Sequence, residues 1–430
     1  MSAPLDHLIE TLNETGMTRF FRRMFDDFPD LLMKDMTVEE VRPDRMIRVQ
    51  GRWVRNFGSD SFLGLDQHPR VKEAIERGVR DWGTHNGTSR AFSSVAPNVE
   101  VEEKIAAWQC TEAALLYPSV TLANIGALPG LVTRRDVVVA DQYAHNSIEE
   151  GSRLAKARGV RIAKFAHNST QELERTLREL RPFRHALIAL DGVYSMSGQL
   201  PPLVEFQKTV REFDGFLYVD DAHGTGVLGT QGRGTVRDAL GSNENTLVIG
   251  SLSKALSCQG GFVAGSRAAI DVLKLRSNPL IFGGPVPPPY LVGLSAALDI
   301  ITSLEYDKLR ANLDANVRRF VSGANKLGLA LLGGLVPIVS VLVGPEEITL
   351  RAGRFLFDRG CYVQSVVFPA VPHGAGVLRI QINANHSMEA IEELLTALAE
   401  MKQTIPLLGQ DGEVIRILVT PSVRPSAIPA

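Results

Sequence analysis

The sequence predicts an α/β protein with a large, mostly parallel sheet and a smaller α+β lobe. From about Met46 to Pro288, short runs rich in β-branched residues alternate with longer amphipathic stretches. This pattern is typical of strands joined by right-handed helical crossovers. After Pro288 the helical signals lengthen, and the 430 residues exceed the size at which one core usually stops growing. We therefore expect two closely packed lobes, with ligands bound at the carboxyl ends of the larger sheet's strands.

The elements are predicted in chain order from periodicity and turn signals. Residues 1 to about 45 are predicted to be helical, with Leu8 and Leu12 at helical spacing before the phenylalanine cluster Phe20, Phe21, Phe25 and Phe28. Strands are predicted in the runs ALLYP, DVVVADQ, VRIAKF, HALIALDGVY, GFLYVDDAH and TLVIGSLSK, and helices at Asn98 to Gln109 and Thr170 to Leu180. Later helices are predicted at Tyr290 to Ser303, Tyr306 to Leu327 and Met388 to Lys402, before a possible strand, VIRILV.

These elements divide the chain into four parts. Residues 1–60 form a helical arm with a segment of the small lobe, and residues 61–288 form the large cofactor-binding domain. Residues 289–405 form the small carboxyl-terminal domain, and residues 406–430 form a tail rich in Pro and Ser.

Composition narrows the class of protein. A net charge of -2 with 22% charged residues gives no basic excess for nucleic acid, so small molecules are the expected partners. Three widely spaced cysteines without a CxxC pair indicate a reducing compartment and suggest no metal site. Acidic residues near the amino terminus argue against a signal peptide, and Gly333-Gly334 and Pro337 interrupt the uncharged stretch from Leu327 to Gly344. We expect a cytoplasmic protein without a membrane span.

Two acids and a histidine follow the strand candidate GFLYV, in Asp220-Asp221-Ala222-His223. They are placed for a ligand, although Asp220 and Asp221 could equally cap a following helix and leave His223 as a loop residue. The next residues, Gly224 to Gly229, match GxGxxG and suggest a dinucleotide site. That interpretation is weak, because the next strand leads to Lys254 where a dinucleotide fold needs an acid for the ribose.

Lys254 is the most informative residue. It follows a strand, within Ser251-Leu252-Ser253-Lys254, and precedes the pair Gly260-Gly261. An amine at a strand end can form a Schiff base with an aldehyde cofactor, while an Asp on a nearby strand keeps a pyridine nitrogen protonated. The alternative is an exposed surface lysine, which is what most lysines are. The small neighbours and the upstream Asp-x-x-His favour the cofactor.

Two further residues have both a functional and a structural interpretation. His145 follows the strand candidate Val137 to Ala140 and could stack on a planar cofactor, although a histidine there is more often structural. Arg379 lies in the alternating run Val377 to Ile382 and could clamp a carboxylate in a bidentate pair. Its alternative is an exposed arginine on an edge strand.

Together these segments resemble the α-oxoamine synthases, from about Gly51 to Lys402. The best matches are Asp220 to Gly229 with Gly232-Arg-Gly234, the Lys254 segment, and Val193-Tyr-Ser-Met196; Phe62-Leu-Gly-Leu65, Ala123-Asn124 and Leu378-Arg379 add to them. The resemblance implies a fold-type I pyridoxal 5'-phosphate (PLP) transferase. It also implies a homodimer with shared active sites, whose substrates are an amino acid and a thioester of coenzyme A or an acyl carrier protein.

The resemblance also implies a role for each matching position. Lys254 would carry PLP, Asp220 would contact the pyridine nitrogen, His145 would stack on the ring, and His223 and Ser195 would contact the ring hydroxyl side. The phosphate would lie at Ser119, Val120, Thr121, Ser251, Ser253 and, from the partner subunit, Gly284. Arg379 and Ser61 would contact the substrate. This chain departs from the family at Val120, usually Gly, at Gly283-Gly284-Pro285-Val286, where the family has a Ser or Thr just before a Pro-Pro pair, and at Ser61, usually Asn.

The reaction predicted from this resemblance is a decarboxylating condensation of Ser, Ala or Gly with an acyl thioester, giving an α-aminoketone. Two alternatives stay open. One is another fold-type I reaction, such as transamination or aldol cleavage, which needs no thioester. The other is a non-catalytic subunit of a heterodimer, which the altered phosphate loop would allow but the retained Lys254, Asp220 and His223 oppose.

Overall fold

The computed structural model describes residues 3–31, 33 and 36–407. The helices are α1 (Pro4–Asn13), α2 (Gly16–Asp27), α3 (Pro69–Trp82), α4 (Ala96–Gln109), α5 (Val120–Leu131), α6 (Asn146–Ala157), α7 (Thr170–Leu180), α8 (Leu203–Glu212), α9 (Thr235–Leu240), α10 (Arg267–Arg276), α11 (Asn278–Phe282), α12 (Pro288–Ile301), α13 (Leu304–Lys326), α14 (Glu346–Asp358) and α15 (Met388–Thr404). The strands are β1 (Val38–Val41), β2 (Met46–Val49), β3 (Arg52–Asn56), β4 (Ala113–Tyr117), β5 (Val137–Asp141), β6 (Arg161–Phe165), β7 (Ala186–Asp191), β8 (Gly215–Asp220), β9 (Thr246–Ser251), β10 (Gly261–Gly265), β11 (Leu331–Leu332), β12 (Ile338–Gly344), β13 (Cys361–Tyr362), β14 (Gln364–Val366) and β15 (Gly376–Gln381).

The large sheet has the order β4-β10-β9-β8-β7-β5-β6. Its strands run parallel except β10, which is antiparallel to both β4 and β9. The prediction of a mostly parallel α/β sheet is confirmed, and each of the six predicted strand runs contains a strand. The sequence analysis missed β10, which is fully buried.

Buried apolar side chains lie on both faces of the large sheet. In β7, Ile188 and Leu190 belong to one apolar cluster, whereas Leu187 and Ala189 belong to another. Successive side chains of a strand point to opposite faces, so a strand covered on both sides reads as a continuous apolar run. The sheet is therefore the middle layer, and only its strand ends are open to ligands.

Two smaller sheets complete the fold. One has the antiparallel order β11-β12-β15-β14, and the other has the order β1-β2-β3-β13. The second sheet joins an early part of the chain to a late one, because β3 pairs with β13. This pairing brings the loop after β3 close to β15: the amide of Gln381 donates to the carbonyl of Phe57 at 2.8 Å.

The amino-terminal prediction is only partly right. Helices α1 and α2 lie within the predicted helical arm, but residues 38–41 form strand β1 instead of helix. The mixed run VEEV pairs with β2, and this tertiary contact decides its conformation. The predicted strand VIRILV lies outside the described residues. Among the residues that are described, no helix is long and apolar enough to cross a membrane.

Candidate active site

Polar side chains collect where adjacent parallel strands of the large sheet end. Asp191 closes β7, Asp220 closes β8 and Ser251 closes β9, and Asp191 is paired in register with Asp220. A cavity of about 180 Å³ opens at this edge. It is lined by the predicted residues Ser119, Val120, Thr121, His145, Asp220, His223, Ser251, Ser253 and Lys254, together with Asp191 and Ala222. The strand order thus brings together residues more than a hundred positions apart.

Lys254 follows β9 in a tight turn. Leu252 is fully buried and anchors the segment, and the amide of Ser257 donates to the carbonyl of Lys254 at 2.8 Å. Burial lowers the pKa of the Lys254 amine, against the opposing effect of the Asp220 carboxylate. Removal from water disfavours the charged ammonium, so the amine is closer to its nucleophilic form than a surface lysine is.

A buried hydrogen-bond network holds Asp220. Asn124 of α5 donates from Nδ2 to Asp220 Oδ2 at 2.6 Å, and the amide of Ala222 donates to Asp220 Oδ1 at 3.2 Å. Tyr218 in turn donates its hydroxyl to Asn124 Oδ1 at 2.8 Å. Hydrogen bonds to both carboxylate oxygens fix the direction of the Asp220 carboxylate. Asn124 was not predicted as a site residue, although it is the only amide side chain in a mostly apolar helix.

The same amide orients His145. Asn124 Nδ2 also donates to Ser147 Oγ at 2.8 Å, so the Ser147 hydroxyl is free to donate to His145 Nδ1 at 2.7 Å. The amide of Ser147 also donates to Nδ1, at 3.2 Å. With two donors on Nδ1, the network assigns the neutral tautomer with its proton on Nε2. His145 is exposed toward the cavity, as stacking on a planar ligand requires.

Burial sets the charge of two other side chains on the cavity. The pKa of His223 is held well below its ordinary value by burial and then by the positive charge of Lys254, so its imidazole is neutral. The pKa of Asp191 is raised by burial and by the neighbouring Asp220 carboxylate. Asp191 also accepts the backbone amide of His145 at 2.9 Å. Burial and the adjacent carboxylate therefore both disfavour a negative charge on Asp191.

Asp221 lies behind the cavity and has a structural role. Its Oδ2 accepts the amide of Thr235 at 2.7 Å, at the start of α9, so the capping alternative holds for Asp221 and not for Asp220. Burial raises the pKa of Asp221 to about 7. A Cβ at Gly224 would lie 2.2 Å from Asp221 Oδ1, and one at Gly234 would lie 1.9 Å from Oδ2. The first glycine of the GxGxxG match therefore makes room for a carboxylate, not for a dinucleotide.

The amino terminus of α5 points its first amides at the cavity. Ser119 caps this helix by accepting the amide of Leu122 at 3.1 Å, which leaves the amides of Val120 and Thr121 without intrahelical acceptors. A Cβ at Gly261 would lie 2.6 Å from the Val120 nitrogen, so the glycine lets β10 approach the start of the helix. Hydroxyls of Ser119, Thr121, Ser251 and Ser253 surround this end. Such a helix start is suited to a phosphate.

Four predicted site residues do not line this cavity. The carbonyl of Ser195 accepts from Arg379 Nε at 2.6 Å. Ser61 donates to Asp66 Oδ1 at 2.5 Å and is hydrogen-bonded to Ser257, so its side chain faces the Lys254 turn. Gly284 is exposed, and the nearest atom to a Cβ built there is His85 Nε2 at 3.9 Å. Their predicted roles are untested by this geometry.

The lining of the cavity fits PLP. An amine, a fixed carboxylate, a neutral imidazole and a helix start match the aldehyde, pyridine nitrogen, ring face and phosphate of that cofactor. Among the described residues, no group of three or more His, Cys, Asp or Glu side chains is placed to hold a metal ion.

Comparison with known proteins agrees with this fit. Residues 53–398 match the family described as aminotransferase class I and II. The chain is 37% identical over 401 residues to 8-amino-7-oxononanoate synthase of Geobacter sulfurreducens, covering 93% of this chain and 98% of that one. It is 34% identical over 370 residues to 8-amino-7-oxononanoate synthase 1 of Bacillus velezensis, covering 86% and 93%.

Solved structures give the same result. A serine palmitoyltransferase from S. paucimobilis, solved with bound PLP, superposes with a TM-score of 0.84 at 25% identity, covering 91% of this chain and 99% of that one. The Sphingomonas wittichii serine palmitoyltransferase also gives 0.84 at 25% identity, covering 91% and 100%. The chain therefore belongs to the class I and II aminotransferase family, and within it to the α-oxoamine synthases.

Proposed function

We propose that this protein is a PLP-dependent acyltransferase that condenses a small amino acid with an acyl thioester. In this reaction the amino acid's α-carbon bonds to the acyl carbon, the carbon–sulfur bond breaks to release a thiol, and the carboxylate leaves as CO₂. The product is an α-aminoketone. The observation that carries the proposal is the convergence of Lys254, the Asn124-held Asp220 and the neutral His145 on one cavity.

Each residue has a task that follows from its surroundings. When bound, PLP supplies an electron sink for negative charge at the amino acid's α-carbon. Lys254, with its lowered pKa, attaches the cofactor and can take and return the α proton. Asp220 would hold a proton on the ring nitrogen, and His145 would stack its imidazole on the ring. His223, also neutral, can hydrogen-bond the ring hydroxyl without adding charge.

The choice of amino acid, the individual ligand contacts and the cellular location are further parts of this proposal. For the amino acid, serine is one candidate, because the structural neighbours are named serine palmitoyltransferases. The contacts of Ser195, Ser251, Ser253 and Ser61 with ligands are also proposals, as is the phosphate role of the α5 start. A cytoplasmic location is supported by three unpaired cysteines in the described part of the chain. A fluorescent fusion would test it.

We also propose a homodimer with shared active sites. Phe92 lies in the turn before α4 and Phe282 is the last residue of α11; they are 87% and 82% exposed, and the two segments touch where Ser89 donates to the carbonyl of Ile281. Large apolar side chains in adjoining segments are typical of a covered surface. Gly284 lies two residues after Phe282 and, in a dimer, could reach the partner's phosphate end. Light scattering should give twice the chain mass, and Phe92→Asp with Phe282→Asp should reduce it to one. A monomeric wild type would contradict the dimer.

The decisive test compares wild type with Lys254→Ala. Wild type should show a visible cofactor absorbance that one of glycine, alanine or serine perturbs, and should release thiol from an acyl thioester. In Lys254→Ala, thiol release should fall by about 10²- to 10⁴-fold, the usual contribution of a positioned acid–base group. Lys274→Ala, at an exposed lysine paired with Asp271, is the matched control and should behave as wild type.

Three outcomes would refute or redirect the proposal. Equal cofactor binding by wild type and Lys254→Ala would refute the lysine assignment. Formation of a keto acid without thiol release would favour transamination. Cofactor binding without any turnover would favour a non-catalytic subunit.

A further inference from the structure

Arg379, the predicted clamp for the substrate carboxylate, already has an acceptor within the chain for each of its three nitrogens. It lies on β15 and is 4% exposed. Its Nε donates to the carbonyl of Ser195 at 2.6 Å, its Nη1 to Gln364 Oε1 at 2.9 Å, and its Nη2 to Asp60 Oδ1 at 3.0 Å. All three nitrogens have acceptors, and one acceptor is a carboxylate.

Asp60 approaches Arg379 from the loop that follows β3. Its Oδ1 also accepts Gln381 Nε2, from two residues further along β15. The Asp60 side chain is 32% exposed, against 5% for Arg379. Within the residues that the structure describes, Asp60 Oδ2 accepts no hydrogen bond. The Asp60 carboxylate is therefore the solvent-accessible partner of this ion pair, and Arg379 is the buried one.

Both charges act on the reactive amine. The Asp60 carboxylate raises the pKa of Lys254 and the Arg379 guanidinium lowers it. With Arg379 as the carboxylate clamp that the family resemblance predicts, an amino acid held at Lys254 would bring its own carboxylate to this pair. Asp60 and the substrate carboxylate carry the same charge and compete for the same donor, and like charges at one site oppose each other strongly when partly buried.

We propose that Asp60 is a specificity-determining residue that occupies the substrate-carboxylate position at Arg379, so that an amino acid binds only by displacing it. This inference rests on the proposed function, because it takes the α-amino acid as the substrate. The ion pair keeps Arg379 neutralised and aligned before substrate binds. It also weakens the affinity for amino acids relative to amines that lack the carboxylate.

The test measures dissociation constants of alanine and serine, and of ethylamine and ethanolamine, which lack the carboxylate. Each ligand is titrated into PLP-loaded protein and followed by cofactor absorbance and calorimetry. Asp60→Asn keeps the shape, removes the competing charge and adds an amide donor. It should tighten alanine and serine by about tenfold, as removal of a close like charge does, and leave both amines within about twofold. Asp136→Asn, which removes a carboxylate that pairs with Arg184 at the amino-terminal end of β5, away from the cavity, should leave the ratio of the two ligand classes unchanged.

An unchanged or lower ratio of amine to amino-acid dissociation constants in Asp60→Asn would overturn the proposal, because Asp60 would then only orient the guanidinium. Asp60→Ala serves as a second variant if Asp60→Asn does not fold, with the same expected direction. Failure of the proposed function is separable, since it would appear before any ligand is added, as wild type that binds no PLP or binds it without Lys254.

Discussion

Asn124 is expected to contribute more to stability than any other member of the buried hydrogen-bond network that it forms with Asp220, Ser147 and Tyr218. Asn124, Tyr218 and Ser147 are each at most 1% exposed, and Asn124 bonds to both of the others and to Asp220. In Asn124→Ala, Asp220 loses a charge-assisted hydrogen bond, which costs about 1.5–3 kcal/mol. The Tyr218 hydroxyl is left buried without an acceptor, which adds about 1–3 kcal/mol. The free energy of unfolding should fall by about 2.5–6 kcal/mol in total.

The assay is urea unfolding of cofactor-free protein, with Tyr218→Phe and the double variant measured alongside. Tyr218→Phe alone should cost about 1 kcal/mol, the net worth of one hydrogen bond. The double variant should lose about 1–3 kcal/mol less of the free energy of unfolding than the sum of the single variants, because it has no Tyr218 hydroxyl left without an acceptor. If the destabilisation of the double variant equals the sum of the two single variants, the shared network is refuted. If Asn124→Ala lowers the free energy of unfolding by less than about 1 kcal/mol, the argument from burial is refuted.

Three other predictions follow from burial and close contact. Burial lowers the pKa of His386 from 6.5 to about 3, so the unfolded state takes up a proton before the folded state does as the pH falls. The free energy of unfolding should therefore drop by about 2 kcal/mol between pH 7 and pH 5. Urea unfolding of His386→Gln should lack this pH dependence. Gly261→Ala forces a Cβ to 2.6 Å from the Val120 nitrogen and should weaken PLP binding about ten- to a hundredfold in a fluorescence titration, while Gly334→Ala, with no atom within 4 Å, should not. In cofactor-free protein, Lys254→Met should raise the free energy of unfolding at neutral pH, and this gain should vanish as the pH approaches 10.5, where the unfolded lysine also loses its proton.

Most of the large domain could be predicted from its sequence because its strands are covered on both faces. Such strands are continuous apolar runs, and the crossover helices between them keep a helical period. Strand β10, Gly261–Gly265, was missed because its two glycines and five-residue length look like a turn next to Gly260. Strand β1 was missed because its residues are all exposed, so no burial pattern marks them.

The candidate site was predictable where a residue carries its own chemistry at a strand end, as Lys254 and Asp220 do. It was not predictable where a role arises from contact alone. Asn124 lies 96 positions from Asp220 and 23 from Ser147 in the chain, and no local pattern links them. Asp60 has a partner 319 positions away in Arg379. Only the register of β8 in the large sheet and the pairing of β3 with β13 bring these residues together.

The phosphate end shows why a changed sequence can keep the same chemistry. Lys254 is the only lysine or arginine among the described residues that line the cavity, so this lining offers a phosphate no guanidinium and no second amine. What it offers is the two first-turn amides of α5, the positive end of that helix, and hydroxyls. Val120 replaces the family's usual glycine and can still keep its backbone amide in position. A side chain on the facing residue of β10 would collide with that amide, but the facing residue is Gly261, which has no side chain. Recognition at this proposed phosphate site would depend on backbone geometry, and Gly261 is more constrained than Val120 itself.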